Sequence, residues 1–145
     1  MKENGQVDFG VNNGQLLPCS KWPNGVSTDH RDPNRRMVPL SYKEVSMDTA
    51  NSYLQDVLST IPKTTIKVND GHYVHVEYKT PILNLPHDAE FYFDEDKKIL
   101  QFRSVSRVGI ADFGMNKRWL QAVYSRLLKK LTIHHINHED GGSVG

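Results

Sequence analysis

The stretch Asp88-Ala89-Glu90-Phe91-Tyr92-Phe93-Asp94, followed after Glu95-Asp96-Lys97 by Lys98-Ile99-Leu100-Gln101-Phe102-Arg103-Ser104-Val105-Ser106, decides the fold. Successive side chains of a strand point to opposite faces, so Ala89, Phe91 and Phe93 share one face while Asp88, Glu90 and Tyr92 share the other. The acidic and basic residues at 95–97 mark a turn between two antiparallel strands. A one-residue slip would carry every apolar side chain into water, so Leu100, Phe102 and Ser104 must lie with Phe91 and Phe93. Gln101, Arg103, Val105 and Arg107 then fall on the charged face. Depending on the length of the turn, Arg103 meets Glu90 or Asp88, and either register gives an arginine-carboxylate pair.

The same alternation extends upstream. Val74, Val76 and Tyr78 oppose Tyr73, His75 and Glu77, and Asp70-Gly71 is a hairpin signal joining strands predicted at 64–69 and 72–80. Before them, Met47, Ala50, Leu54, Val57, Leu58 and Ile61 recur at helical spacing behind an N-cap at Ser46, until Pro62 stops the run. A second helix is predicted over 117–131, with Leu120, Val123, Leu127 and Leu131 as its stripe and Asn116 as its N-cap. Met37-Val38-Pro39-Leu40 reads as a short edge strand. The predicted fold is α+β, an antiparallel four- to five-stranded sheet with two helices on one face in the order β-α-β-β-β-β-α, preceded by an irregular N-terminal arm. Residues 1–16 are expected as a flexible arm, 17–131 as a single domain and 132–145 as a disordered tail.

With 145 residues the chain suffices for one core and not for two. Its 18 Lys and Arg against 17 Asp and Glu leave a net charge of +1, which gives no electrostatic footprint for nucleic acid. No run reaches the eighteen or so apolar residues of a bilayer span, so no transmembrane segment is expected and the chain as written reads as cytoplasmic. The single cysteine, Cys19, precludes an intramolecular disulfide.

Arg103-Ser104-Val105-Ser106-Arg107-Val108-Gly109-Ile110-Ala111-Asp112-Phe113-Gly114-Met115-Asn116 concentrates polar side chains at a junction between strand and helix. The run resembles the signature R-S-x-S-R-x-G-x-x-D-x-G-x-N of the bacterial and plastid family known as domain of unknown function 1499. Leu17-Pro18-Cys19-Ser20 and Trp22-Pro23-Asn24-Gly25-Val26-Ser27-Thr28 resemble the same family's N-terminal motif P-C-x-x-x-P-N-C-V-S-S, with Gly25 in place of the second cysteine. The resemblance spans about 17–131. It implies a small domain of unknown function outside the membrane, and a periplasmic, membrane-associated or plastid location where an export or transit segment has been removed.

The candidate ligand-binding residues are His75, Glu77, Glu90, Arg103, Arg107, Asp112, Asn116 and Arg118. The first five face one side of the sheet, where the arm could cover them, and the same charges equally satisfy one another as a clasp. Asp112 pins a turn as readily as it meets a ligand. Lys117 and Arg118 stand at the positive end of the second helix, an arrangement an anion would relieve, and with Arg107 they predict an anion site. His134, His135 and His138 lack the further ligands of a closed metal site, so neither a metal nor a cofactor is expected. No catalytic motif supports an enzyme. The first reading is a module binding a small anionic or amphipathic molecule. The alternatives are an assembly or scaffold protein docking a protein partner through its arm, and a hydrolase-like enzyme using His75 with Glu77 or Glu90.

Overall fold

The computed structural model describes residues 9–19, 25–108 and 114–144, with 138–144 as backbone alone. Its elements are β1 (Val11–Asn12), β2 (Gln15–Leu16), β3 (Gly25–Ser27), a 3-10 turn (Pro33–Arg35), β4 (Leu40–Ser41), α1 (Met47–Ser59), β5 (Thr64–Asn69), β6 (Tyr73–Lys79), β7 (Pro86–Asp94), β8 (Ile99–Ser106) and α2 (Met115–Val144). From β4 onward this is the expected order β-α-β-β-β-β-α, and the α+β class with its antiparallel sheet holds.

The main sheet runs β3-β8-β7-β6-β5, with β4 pairing a different part of β8. Every pairing in it is antiparallel. The β7-β8 register sets Phe91 opposite Phe102 and Glu90 opposite Arg103, which resolves the two registers the sequence allowed. Apolar residues of the sheet's inner face, from Val74 and Val76 to Phe91, Phe93, Leu100 and Phe102, form one core with Leu54, Val57 and Leu58 of α1 and Leu120, Val123, Leu127 and Leu131 of α2. Both helices therefore lie on one face.

Local chemistry explains the joins. Ser46 caps α1 by accepting from the Thr49 amide. The β5-β6 turn needs Gly71, whose φ is +100°, and Asn51 of α1 ties that turn to the helix by donating to Asn69 Oδ1 at 3.0 Å and to the Gly71 carbonyl at 2.8 Å.

Three boundaries differ from expectation. The sheet has six strands because arm residues Gly25–Ser27 pair with β8, in register Val26 to Ser104; of the two large apolar residues in the polar 22–28 segment, Val26 is buried and Trp22 lies outside the described residues. The arm is not irregular throughout, since β1 and β2 form a hairpin around Asn13 and Gly14, both at positive φ. Finally, α2 continues beyond Leu131 through the segment expected to be a disordered tail. No proline or glycine interrupts 131–140, and His134 Nδ1 meets the Tyr53 hydroxyl of α1 at 2.5 Å, so helix propagation has a tertiary anchor past the last stripe residue.

Candidate functional site

The face of the sheet away from the helices carries the predicted charged row, and the arm lies on it. Arg103 and Glu90 are each 1% exposed, with Nη2 to Oε1 at 2.5 Å and Nε to Oε1 at 2.8 Å. Arg103 Nη1 also donates to the Leu17 and Pro18 carbonyls at 2.8 and 2.9 Å. Glu90 Oε2 accepts from the Gly10 amide at 2.6 Å and from the Tyr73 hydroxyl. Burial, reinforced by that carboxylate, pushes the Tyr73 phenol well above its ordinary range. Phe9 stacks on His75 with ring centroids 4.6 Å apart and lies under the Arg103 guanidinium. Arm and sheet are thus bound directly to each other at Arg103.

Beside this pair, His75 Nε2 lies 2.9 Å from Asp88 Oδ1. Asp88 accepts two further bonds from Arg107, at 2.6 and 2.8 Å, and Arg107 also pairs with Glu77. Burial alone would raise Asp88, but the hydrogen bonds from Arg107 and His75 hold its carboxyl below the usual range. The bond from Arg107 lowers Glu77 as well. Each group named as an acid, a base or an anion receptor on this face already has a partner of opposite charge or a hydrogen bond.

Asn116 belongs to the opposite face. It is not the N-cap of α2, because the helix begins one residue earlier, at Met115, behind Gly114 at φ +79°. Its side chain enters the core at 0% exposure, where Oδ1 accepts from the Ser104 hydroxyl at 2.6 Å and the Tyr78 hydroxyl at 3.1 Å and meets His87 Nδ1 at 2.9 Å. A buried polar group needs such partners, and this cluster fixes the start of α2 to β6, β7 and β8. Ser104, Tyr78 and His87 escaped the sequence reading because alternation assigns them to the apolar side; the serine at an inward position was the available signal.

The predicted anion receptor does not assemble among the described residues. Arg107 is held by two carboxylates on the arm face, while Lys117 and Arg118 border different clefts. Asp112 and the loop around it lie outside the described residues.

Arg118 instead divides two apolar clefts. One, of about 410 Å³, is lined by Ile61, Pro62, Tyr78, Pro81, Met115 and Trp119 among others. The second, of about 490 Å³, is lined by Pro81, Ile82, Leu83, Leu85, Val108 and Met115, with His87 and Ser106 among its polar residues. Thr80, Pro81, Met115 and Arg118 belong to both, and no carboxylate is among the described lining residues. The Trp119 indole stacks on Tyr78 at 4.0 Å, nearly parallel, and its buried Nε1 has no partner among the described residues. The described partner of the exposed Arg118 side chain is Met115 Sδ, at 3.7 Å. The signal for these clefts was Thr80-Pro81-Ile82-Leu83-Asn84-Leu85-Pro86, an apolar run that the strand pattern did not absorb.

No helix among the described residues is long and apolar enough to cross a membrane. Comparison with curated proteins gave no match. The model of a family described as protein of unknown function (DUF1499) matches residues 15–127, and the chain belongs to that family.

Proposed function

We propose that this member of the family is a binding module for a small amphipathic molecule carrying one anionic head, with the apolar body in the clefts beside Arg118 and the head on its guanidinium. The reading moves the predicted ligand from the arm face, where the charges are mutually engaged, to the start of α2. The observation that carries it is Arg118 on the wall shared by both clefts, with no carboxylate among their described lining residues. Volumes of about 410 and 490 Å³ fall within the range usual for small-molecule sites, which are mainly apolar with a few convergent polar groups.

The test is fluorescence titration of a Trp22→Phe variant, which leaves Trp119 as the one indole. The probes are dodecanoate and dodecyl phosphate, below their micellar range, and dodecanol, below its solubility limit. A charge-assisted hydrogen bond contributes about 1.5–3 kcal/mol, roughly tenfold to a hundredfold in affinity. Saturable binding of the two anions is expected, at least tenfold weaker for dodecanol and for Arg118→Ala. Equal affinity for the alcohol, or no change in Arg118→Ala, refutes the assignment.

A further inference from the structure

We infer that the loop from Thr80 to Leu85 is a docking tip for an anionic lipid bilayer. Ile82 is 89% exposed and Leu83 72%, and they adjoin each other at the apex of a loop whose shape is fixed from within. The Asn84 amide donates to the Thr80 carbonyl and the Thr80 amide to the Leu85 carbonyl, both at 3.1 Å. The Leu85 amide reaches Thr80 Oγ1 at 2.9 Å. From the neighbouring segment Lys63 Nζ donates to the Pro81 carbonyl at 2.7 Å and to Asn84 Oδ1 at 2.5 Å. These bonds hold the loop's ends without covering the apolar tip, and two branched side chains stand out in solvent with half-exposed Val108 on the same cleft.

Size and charge choose the occupant. A stable protein interface buries about 800 Å² on each partner, far more than two side chains offer, whereas a short apolar tip suits shallow insertion at the headgroup boundary. Lys63, Lys79 and Arg118 line the clefts at its base, where the described lining residues include no carboxylate. Lys63 bonds a carbonyl and an amide oxygen, so its positive charge is not neutralised there. Each cation near an anionic membrane surface contributes roughly fivefold to partitioning.

The inference goes beyond the ligand reading and is tested apart from it, since the titration above contains no vesicles and this assay contains no added fatty acid. The complete chain is sedimented with sucrose-loaded vesicles of phosphatidylcholine, alone or with about one third phosphatidylglycerol. Binding to the mixed vesicles is expected to exceed that to phosphatidylcholine by at least tenfold and to weaken with salt. In the double variant Ile82→Asp/Leu83→Asp it should fall by at least another tenfold with an unchanged melting temperature, because both side chains are exposed. No binding by the wild type, equal binding to the two vesicles, or a variant that binds like the wild type overturns the inference. So does a wild-type dimer in sedimentation velocity that the double variant abolishes, which would assign the tip to a second copy of the chain.

Discussion

Replacing Arg103 by methionine probes the contact on which the arm depends. The change keeps the side chain long and apolar while removing the guanidinium from a pair in which both partners are 1% exposed. Glu90 would retain the Gly10 amide and the Tyr73 hydroxyl but lose its counter-charge, and one-sided loss of a buried ion pair costs about 3–5 kcal/mol. The Leu17 and Pro18 carbonyls lose their donor at the same time. With about 2–4 °C per kcal/mol for a domain near this size, the expected fall in melting temperature is roughly 10 °C. Urea unfolding of Arg103→Met, Glu90→Gln and the double variant should show a coupling of about 2 kcal/mol or more, since the second substitution removes a charge the first has stranded. Limited proteolysis supplies a readout of the arm itself: Arg103→Met should be cut within 9–19 faster than the wild type while both remain folded. Single costs below ~1 kcal/mol that simply add are the behaviour of an exposed pair, and would falsify the clasp.

Arg107→Met tests the second cluster through pH. The folded-state carboxyls of Asp88 and Glu77 are depressed, so their stabilisation is present above the unfolded values of about 3.9 and 4.3 and is lost as pH falls through the folded ones. The variant should be less stable by roughly 1–2 kcal/mol at pH 7, discounted for the partial exposure of Arg107 and Glu77, and the gap should narrow in urea melts as pH falls below the unfolded carboxyl values; a gap constant with pH contradicts the assignment. Gly25→Cys should remove the free thiol on oxidation. A Cβ at position 25 would lie 2.9 Å from Cys19 Sγ and 3.3 Å from Cys19 Cβ, but also 2.9 Å from Val105 Cγ1, which must shift; closing so short a loop stabilises by at most about 2 kcal/mol before that strain. The wild-type Cys19 thiol, raised by burial to about 11, should react only slowly at pH 8. Two titratable thiols in the oxidised native variant would show that the arm does not bring these positions together.

How far the sequence reached follows from what periodicity can encode. The alternation of Asp88 to Ser106 carries the sheet's two faces, and the Glu90-Arg103 pairing needed only the turn length to be settled. The order of 9–16, expected as a flexible arm, comes from contacts that no local period records: the Gly10 amide reaches Glu90, 80 residues away, and Arg103 holds the neighbouring Leu17 and Pro18 carbonyls. Asn116 has the composition of a cap and acts as a buried acceptor, since three donors await it from strands the sequence could not place in space. Arg118 was named as a cation in the first helical turn, and the companions expected for it, Arg107 and Lys117, are engaged or placed elsewhere among the described residues.

The R-S-x-S-R run itself shows why a dense polar motif need not be one site. As a strand it must send alternate residues to opposite faces, so Arg103 and Arg107 bind arm and carboxylates on one side while Ser104 reaches Asn116 on the other. One segment thereby fastens the N-terminal arm and the C-terminal helix to the same strand, and the partners it needs lie within the chain. A ligand that recognised these groups would have to displace an arm and break a buried ion pair, at a cost of several kcal/mol before any gain. The clefts beside Arg118 ask for no such exchange: the guanidinium is exposed, the apolar walls are formed, and the tip at Ile82 and Leu83 already stands in solvent. The proposed site therefore lies where the signature ends, one helical turn beyond Gly114, where binding would break no described ion pair.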